Sequence, residues 1–118
     1  MAPRSQLEIS TGAVQRLIKE EASYHRELQQ QKGRIQKLEA QNPSEDENRD
    51  YMLRQERLAL EETERVFPSL KVKIDEAIAK LGSLLVEEGK KGAESNVEHI
   101  TAAKEAIAQA RTAEREIA

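Results

Sequence analysis

The chain has 118 residues, of which 37% are apolar and 35% charged, with a net charge of −3 and no cysteine. Ordinary globular domains contain about 25% charged residues, and an excess of Ala, Glu, Lys, Leu and Arg is typical of long helices. The absence of cysteine excludes disulfides and cysteine metal sites, and the negative charge disfavours nucleic acid. No apolar run is long enough to cross a membrane. We therefore expect an all-α cytoplasmic protein.

A first amphipathic helix is predicted over residues 13–40. The hydroxyl side chains in Ser10-Thr11-Gly12 can cap its start, and an Asn-Pro pair ends it, because the residue before a proline disfavours the helical conformation. Its apolar residues follow a heptad repeat that is interrupted by Glu21 and Gln31. Polar side chains in such a seam lower stability but can fix the register of packing.

The second predicted helix covers residues 45–88 and has the clearest repeat. Ser44 and Glu47 form a capping-box pattern at its start. Pro68 falls inside the repeat, so a local helix breaker conflicts with the periodic pattern. We expect one helix that continues across Pro68 with a kink, and the alternative is two helices that meet near residues 66–69. The residues that recur every seven positions are Leu53, Leu60, Phe67, Ile74 and Leu81.

A third helix is predicted over residues 95–117, after a glycine-rich and charged connection at residues 87–92. Ser95 and Glu98 form a further capping-box pattern. Three amphipathic helices joined by short connections can bury their stripes by folding back on one another. We therefore predict a single domain over residues 1–118, an elongated up-down-up antiparallel three-helix bundle (a rod) whose second helix is longest. The third apolar stripe is Val97, Ile100, Ala103, Ile107, Ala110 and Ile117.

Residue patterns that indicate catalysis or a cofactor are weak in this chain. His25 and His99 lie far apart, and Glu21 with His25 supplies two metal ligands on one helix face without an evident third. The segment Gly89-Lys90-Lys91-Gly92 lacks the spacing of a phosphate-binding loop. We expect no catalytic residue, no metal and no cofactor.

Two outward faces carry a candidate binding site. The solvent-facing positions of the first helix form a basic stripe that could bind an acidic surface. The alternative is that these side chains are only solvated and bind no partner. The column opposite the seam of the second helix contains apolar residues between acids. Neighbouring helices could bury part of this column, or its residues could be single exposed apolar side chains without a function. The proposed site residues are Arg16, Lys19 and Arg26 of the stripe, and Tyr51, Leu58 and Val72 of the column.

Three segments give the chain a resemblance to a known family. They are Thr11–Glu20, continuing to Tyr24 and the glutamines at 29–31; Glu47–Tyr51; and Val66–Pro68, with its proline inside a helix. The chain resembles the tubulin-specific chaperone A family, also called tubulin-binding cofactor A, over about residues 9–85.

The resemblance implies a function as well as a fold. Members of that family are three-helix rods that hold β-tubulin after its release from the cytosolic chaperonin and present it for heterodimer assembly, without using a nucleotide. The expected partners are β-tubulin and other tubulin-folding cofactors, with no nucleic acid and no membrane. The expected location is the cytoplasm, in association with the microtubule cytoskeleton, and the protein is a monomer or a homodimer.

A structural coiled-coil or adaptor module that self-associates through its helix faces is the alternative, because heptad repeats suit it equally well. The two functions differ in what they predict. A scaffold forms a stable homo-oligomer and ignores tubulin, whereas a chaperone of this family forms a one-to-one complex with β-tubulin.

Overall fold

The computed structural model describes residues 3–44 and 47–117, the last three of them as backbone only. These residues form α1 (Gln6–Ala40), α2 (Arg49–Gly89) and α3 (Val97–Ile117), with a short 3₁₀ turn at Gly92–Glu94 before α3. No strand occurs in the described ranges. The predicted all-α fold of three helices is therefore confirmed, and α2 is the longest helix with 41 residues.

The start of α1 lies seven residues before the predicted position. Ser5 and Glu8 cap it reciprocally: the Ser5 N–H donates to Glu8 Oε1 at 3.1 Å, and the Glu8 N–H donates to Ser5 Oγ at 3.2 Å. This exchange of bonds satisfies two backbone donors that would otherwise have no partner inside the helix.

The predicted cap at Ser10-Thr11-Gly12 is consequently wrong. Ser10 and Thr11 lie buried inside α1. The Thr11 hydroxyl donates to the carbonyl oxygen of Leu7 at 2.8 Å, as hydroxyl side chains do when they point back along a helix. These hydroxyl groups therefore belong to the interior of the helix.

Helix α2 passes through Pro68 without interruption. The prediction of one continuous helix is confirmed, because the apolar repeat on both sides of Pro68 outweighs the loss of one backbone donor. The kink at this position stays a prediction. The helix begins at Arg49, four residues after the predicted start, so the predicted capping box of Ser44 and Glu47 is wrong. The Ser44 hydroxyl instead donates to Asn42 Oδ1 at 2.9 Å. Residues 45 and 46, between Ser44 and Glu47, lie outside the described residues.

Asn96 immediately precedes α3 and caps it. Its Oδ1 accepts the His99 N–H at 3.1 Å, and its own N–H donates to Glu88 Oε1 at the end of α2 at 2.9 Å. The predicted cap, Ser95, instead donates its hydroxyl to the Gly92 carbonyl at 2.7 Å. Gly92 has a φ of 60°, which a glycine adopts without strain, and it allows this turn to form before α3. The Ser95 hydroxyl is bonded within the turn and does not cap the helix.

One compact unit, called here the three-helix unit, comprises Met1–Glu20 and Leu70–Ala118. Its core is aliphatic, and three alanines of α3 are almost completely buried. Val97, predicted in the seam of α3, is 71% exposed, so that assignment is wrong: as the first residue of the helix it lies before the seam begins. The buried apolar residues of this unit are Leu7, Val14, Leu70, Ile74, Leu81, Ala103, Ala106 and Ala110.

The second compact unit, called here the hairpin unit, comprises Glu21–Ser69. Its parts of α1 and α2 run antiparallel, because Phe67 of α2 contacts Tyr24 and His25, whereas the start of α2 lies at the end of α1. The ion pairs Arg34–Glu56 (3.0 Å) and Glu39–Arg57 (3.2 Å) also join the two helices. Arg49 also donates to two carbonyl oxygens at the end of α1, those of residues 38 (2.7 Å) and 39 (3.2 Å). The single domain over residues 1–118 stays a prediction.

The seam of the hairpin unit contains the predicted polar interruptions. Glu21 and Gln31 are 7% and 3% exposed, so both lie in the interior as the heptad phase of α1 predicts. Phe67 is half-buried and contacts two rings of α1. His25 stacks on it with ring centroids 4.3 Å apart, and Tyr24 meets it edge-on at 6.5 Å. An aromatic cluster therefore joins the two helices of this unit.

Replacement of Phe67 by Ala should lower the free energy of unfolding by about 2–3 kcal/mol. The variant loses two aromatic contacts, but the loss is smaller than for a fully buried ring because Phe67 is only half-buried. Thermal or urea unfolding measures this change. Phe67→Leu is the matched control that keeps apolar volume, and it should recover most of the loss. A Phe67→Ala variant as stable as the parent contradicts a role for the ring in the seam.

The carboxylates of Glu8 and Glu88, each near a helix end, should make the stability of the protein depend on pH. The Ser5 N–H, with the His99 imidazole, lowers the pKa of Glu8 below its usual 4.5, and the Lys91 ammonium, with the Asn96 N–H, does the same for Glu88. A group whose pKa falls on folding stabilises the folded state above its unfolded pKa and loses that contribution as pH falls through the folded value. These bonds therefore stabilise the protein at neutral pH and weaken below about pH 4.5.

Glu8→Gln combined with Glu88→Gln should thus lower the melting temperature at neutral pH. The gap between variant and parent should shrink as the pH falls below about 4.5, because the parent carboxylates take up protons there. Glu62→Gln, at an exposed position outside the ion pairs, is the control and should follow the parent throughout. A gap that stays constant with pH contradicts the assigned bonds.

Candidate functional site

The proposed site residues of the basic stripe of α1 are Arg16, Lys19 and Arg26, and all three side chains are exposed. Within residues 3–44 and 47–117, ion pairs engage other arginines, such as Arg34 and Arg57, but none of these three. The positive charge of the stripe is therefore not neutralised by an ion pair, and it is available to an acidic surface. Arg16 and Lys19 belong to the three-helix unit, and Arg26 belongs to the hairpin unit.

The apolar column of α2 is exposed as the heptad phase predicts. Tyr51, Leu58 and Val72 are 57%, 54% and 56% exposed, so the alternative in which neighbouring helices bury them is wrong. Tyr51 and Leu58 lie two turns apart in the hairpin unit, about 10 Å along the helix axis. Val72 lies in the three-helix unit, where Val86 extends the column at 61% exposure.

Acidic side chains border this column. The exposed pairs Glu61 with Glu62 and Asp75 with Glu76 lie beside the apolar residues, and Arg65 within the column forms an ion pair of 3.9 Å with Glu61. Apolar anchors with a charged rim are typical of protein–protein interfaces. The face therefore has the composition of a surface that binds another protein.

A groove of about 290 Å³ lies between α1 and α3 in the three-helix unit, and sequence analysis missed it. Within it, His99 Nε2 lies 3.6 Å from Glu8 Oε2, so the pair ties the first turns of the two helices together. No local pattern could have revealed this contact, because it joins residues far apart in the sequence. The groove is lined by Arg4, Glu8, Thr11, Gly12, Gln15, His99 and Ala102.

The two histidines take part in packing and pairing. His25 stacks on Phe67, and His99 lies beside Glu8. In the described part of the chain, no group of three or more His, Cys, Asp or Glu side chains is placed to hold a metal ion. None of the described helices is long and apolar enough to cross a membrane.

Comparisons with known proteins identify the family. The family model described as tubulin binding cofactor A matches residues 2–107, which extends into α3 beyond the segments that carry the resemblance. The tubulin-specific chaperone A of Saccharomyces cerevisiae is 40% identical over 77 residues, 64% of this chain and 67% of that protein.

Animal relatives agree with this match. The tubulin-specific chaperones A of Gallus gallus and Rattus norvegicus are 32% and 29% identical over 83 residues, which is 70% of this chain and 72% of each relative. No solved structure matches the chain. Since the family model covers most of the chain, the protein belongs to the tubulin binding cofactor A family.

Proposed function

We propose that this protein is a tubulin-folding cofactor that captures β-tubulin after its release from the cytosolic chaperonin. It holds the quasi-native chain, without ATP and without a catalytic step, until α/β-tubulin heterodimers assemble. Family membership supports a role in tubulin folding. The observation that carries the capture step is the exposed face of α2, where apolar side chains more than half exposed stand between charged ones.

The basic stripe of α1 supplies electrostatic steering in this proposal. Tubulin is acidic, and Arg16, Lys19 and Arg26 are exposed cations that form no ion pair in the described part of the chain. Exposed charges that face an opposite potential accelerate encounter more than they strengthen the final complex. The stripe should therefore act mainly on the association rate.

The apolar column of α2 supplies the anchors. Tyr51, Leu58 and Val72 lie on the outward face of α2 and are already exposed in the free protein. A few large side chains that become fully desolvated usually carry most of the affinity of an interface. Loss of an anchor should therefore act mainly on the dissociation rate.

The remaining parts of the proposal concern the cellular setting. The protein works in the cytoplasm, in association with the microtubule cytoskeleton, and passes its cargo to other tubulin-folding cofactors. It does so as a monomer or a homodimer.

Charge reversal in the basic stripe tests the steering role. Arg16→Glu, Lys19→Glu and Arg26→Glu together should slow association with β-tubulin about tenfold at low salt, and less at high salt, because screening weakens the attraction. Surface plasmon resonance at several salt concentrations measures this, with circular dichroism to confirm folding. The control carries the same change of charge at the exposed residues Lys80, Lys104 and Arg111.

The control triple should associate much faster than the stripe variant, since steering depends on where the charge lies as well as on the total. Equal slowing in both triples shows that net charge alone matters, which overturns the assigned stripe.

Leu58→Asp combined with Val72→Asp tests the anchors. The variant should dissociate at least about tenfold faster, because a carboxylate cannot replace a desolvated aliphatic side chain. The control, Ile9→Asp with Val97→Asp, changes two other exposed apolar residues (47% and 71% exposed). Faster dissociation of the control alone places the interface elsewhere.

Binding of the parent protein decides between the two functional classes. Analytical ultracentrifugation should show a one-to-one complex with β-tubulin. A parent that forms a stable homo-oligomer and ignores β-tubulin instead supports the self-associating adaptor.

A further inference from the structure

The two compact units differ in what they bury. The buried side chains of the hairpin unit include two apolar ones, Ile35 and Leu53, and three polar ones, Glu21, Gln31 and Thr63. Among the side chains that the structure describes, the three-helix unit buries eight apolar ones, and its two buried polar residues bear hydroxyl groups. Since apolar burial is the main driving force for folding, the hairpin unit has the weaker interior.

Buried polar atoms in the hairpin unit are incompletely satisfied. The Thr63 hydroxyl donates to the Ala59 carbonyl at 3.0 Å, but Gln31 Oε1 and His25 Nε2 have no hydrogen-bond partner although both atoms are buried. A buried acceptor without a partner loses its hydrogen bonds to water and regains them only when the structure opens. These two atoms therefore favour the open state of the two helices.

Opening of this seam would expose apolar side chains in one patch. Tyr24 and Leu28 lie one turn apart on α1, and Phe67 faces the Tyr24 ring from α2. All three are half-buried in the closed hairpin. A modest separation of the helices therefore converts a closed aromatic cluster into an accessible apolar surface.

We infer that the hairpin unit opens locally, at a lower free energy than global unfolding, and that the opened seam around Tyr24, Leu28 and Phe67 contacts apolar surface of β-tubulin. The identity of the partner rests on the proposed function, whereas the opening is a property of the free protein. A subunit that lacks its obligate partner exposes a large apolar interface, and the seam offers that surface a matching apolar patch. The seam is distinct from the outward column of α2.

Hydrogen exchange of the free protein tests the opening. Backbone amides in the helices of Glu21–Ser69 should exchange faster than those in the middle of α3. A helix that loses its packing partner is only marginally stable, so its amide hydrogen bonds break more often without global unfolding. Gln31→Leu removes the unpaired acceptor and should slow exchange in the hairpin unit about tenfold, with little effect in α3.

Gln30→Leu is the matched control, since it makes the same chemical change at the neighbouring exposed position. It should leave exchange in the hairpin unit as it is in the parent. Equal protection of the two units in the parent, or a Gln31→Leu variant that exchanges like the parent, overturns the local opening.

Binding kinetics test the role of the opened seam. Gln31→Leu should weaken binding to β-tubulin by about the same factor by which it slows exchange, because a smaller fraction of the protein is in the binding-competent state. Gln30→Leu should bind as the parent does. A Gln31→Leu variant with slowed exchange and unchanged affinity overturns the seam as a contact surface.

The outcomes separate this inference from the proposed function. A parent that opens in hydrogen exchange but does not bind β-tubulin overturns the proposed function and the contact surface, and leaves the opening itself supported. A parent that binds while its two units are equally protected overturns the inference and leaves the proposed function standing.

Discussion

Burial of a single apolar stripe on each helix is the constraint on which the fold and the candidate binding site both depend. A helix with one apolar face must cover that face with another element, and its opposite face then remains in solvent. In the three-helix unit, Ile74 and Leu81 of α2 are 2% and 0% exposed. Ala103 and Ala106 of α3 are fully buried, and side chains this small permit close approach of helices. The outward side of α2 is thereby fixed, and it carries the apolar column.

The heptad repeat was sufficient to predict the helices and their inward faces. It correctly continued α2 through Pro68 and placed Glu21 and Gln31 in the seam, because periodicity over many turns outweighs one local exception. It failed at helix ends, where single hydrogen bonds decide. Two hydroxyl-bearing cap patterns compete near the start of α1, and the pair Ser5–Glu8 forms the cap. Ala106 was missed because alanine contributes little to an apolar pattern.

The candidate site could be predicted only in part. Exposure of Leu58 and Val72 follows from the phase of the seam, since the residues opposite a buried stripe face solvent. The Glu8–His99 pair could not be predicted, because its residues come from different helices and no local pattern links them. The same reason applies to the contact of Phe67 with His25. Such contacts depend on the lateral packing of helices, which the repeat does not encode.

Arg49 makes the connection between α1 and α2 tolerant of changes in length. Its guanidinium caps the carbonyl oxygens of residues 38 and 39, so the first residue of α2 satisfies the end of α1 directly. The residues between the two helices then need not bond these carbonyl oxygens. The entropic cost of closing a loop also rises only slowly with its length. Insertions in this connection should therefore be tolerated as long as Arg49 is retained. The connection is therefore a suitable attachment point for a probe.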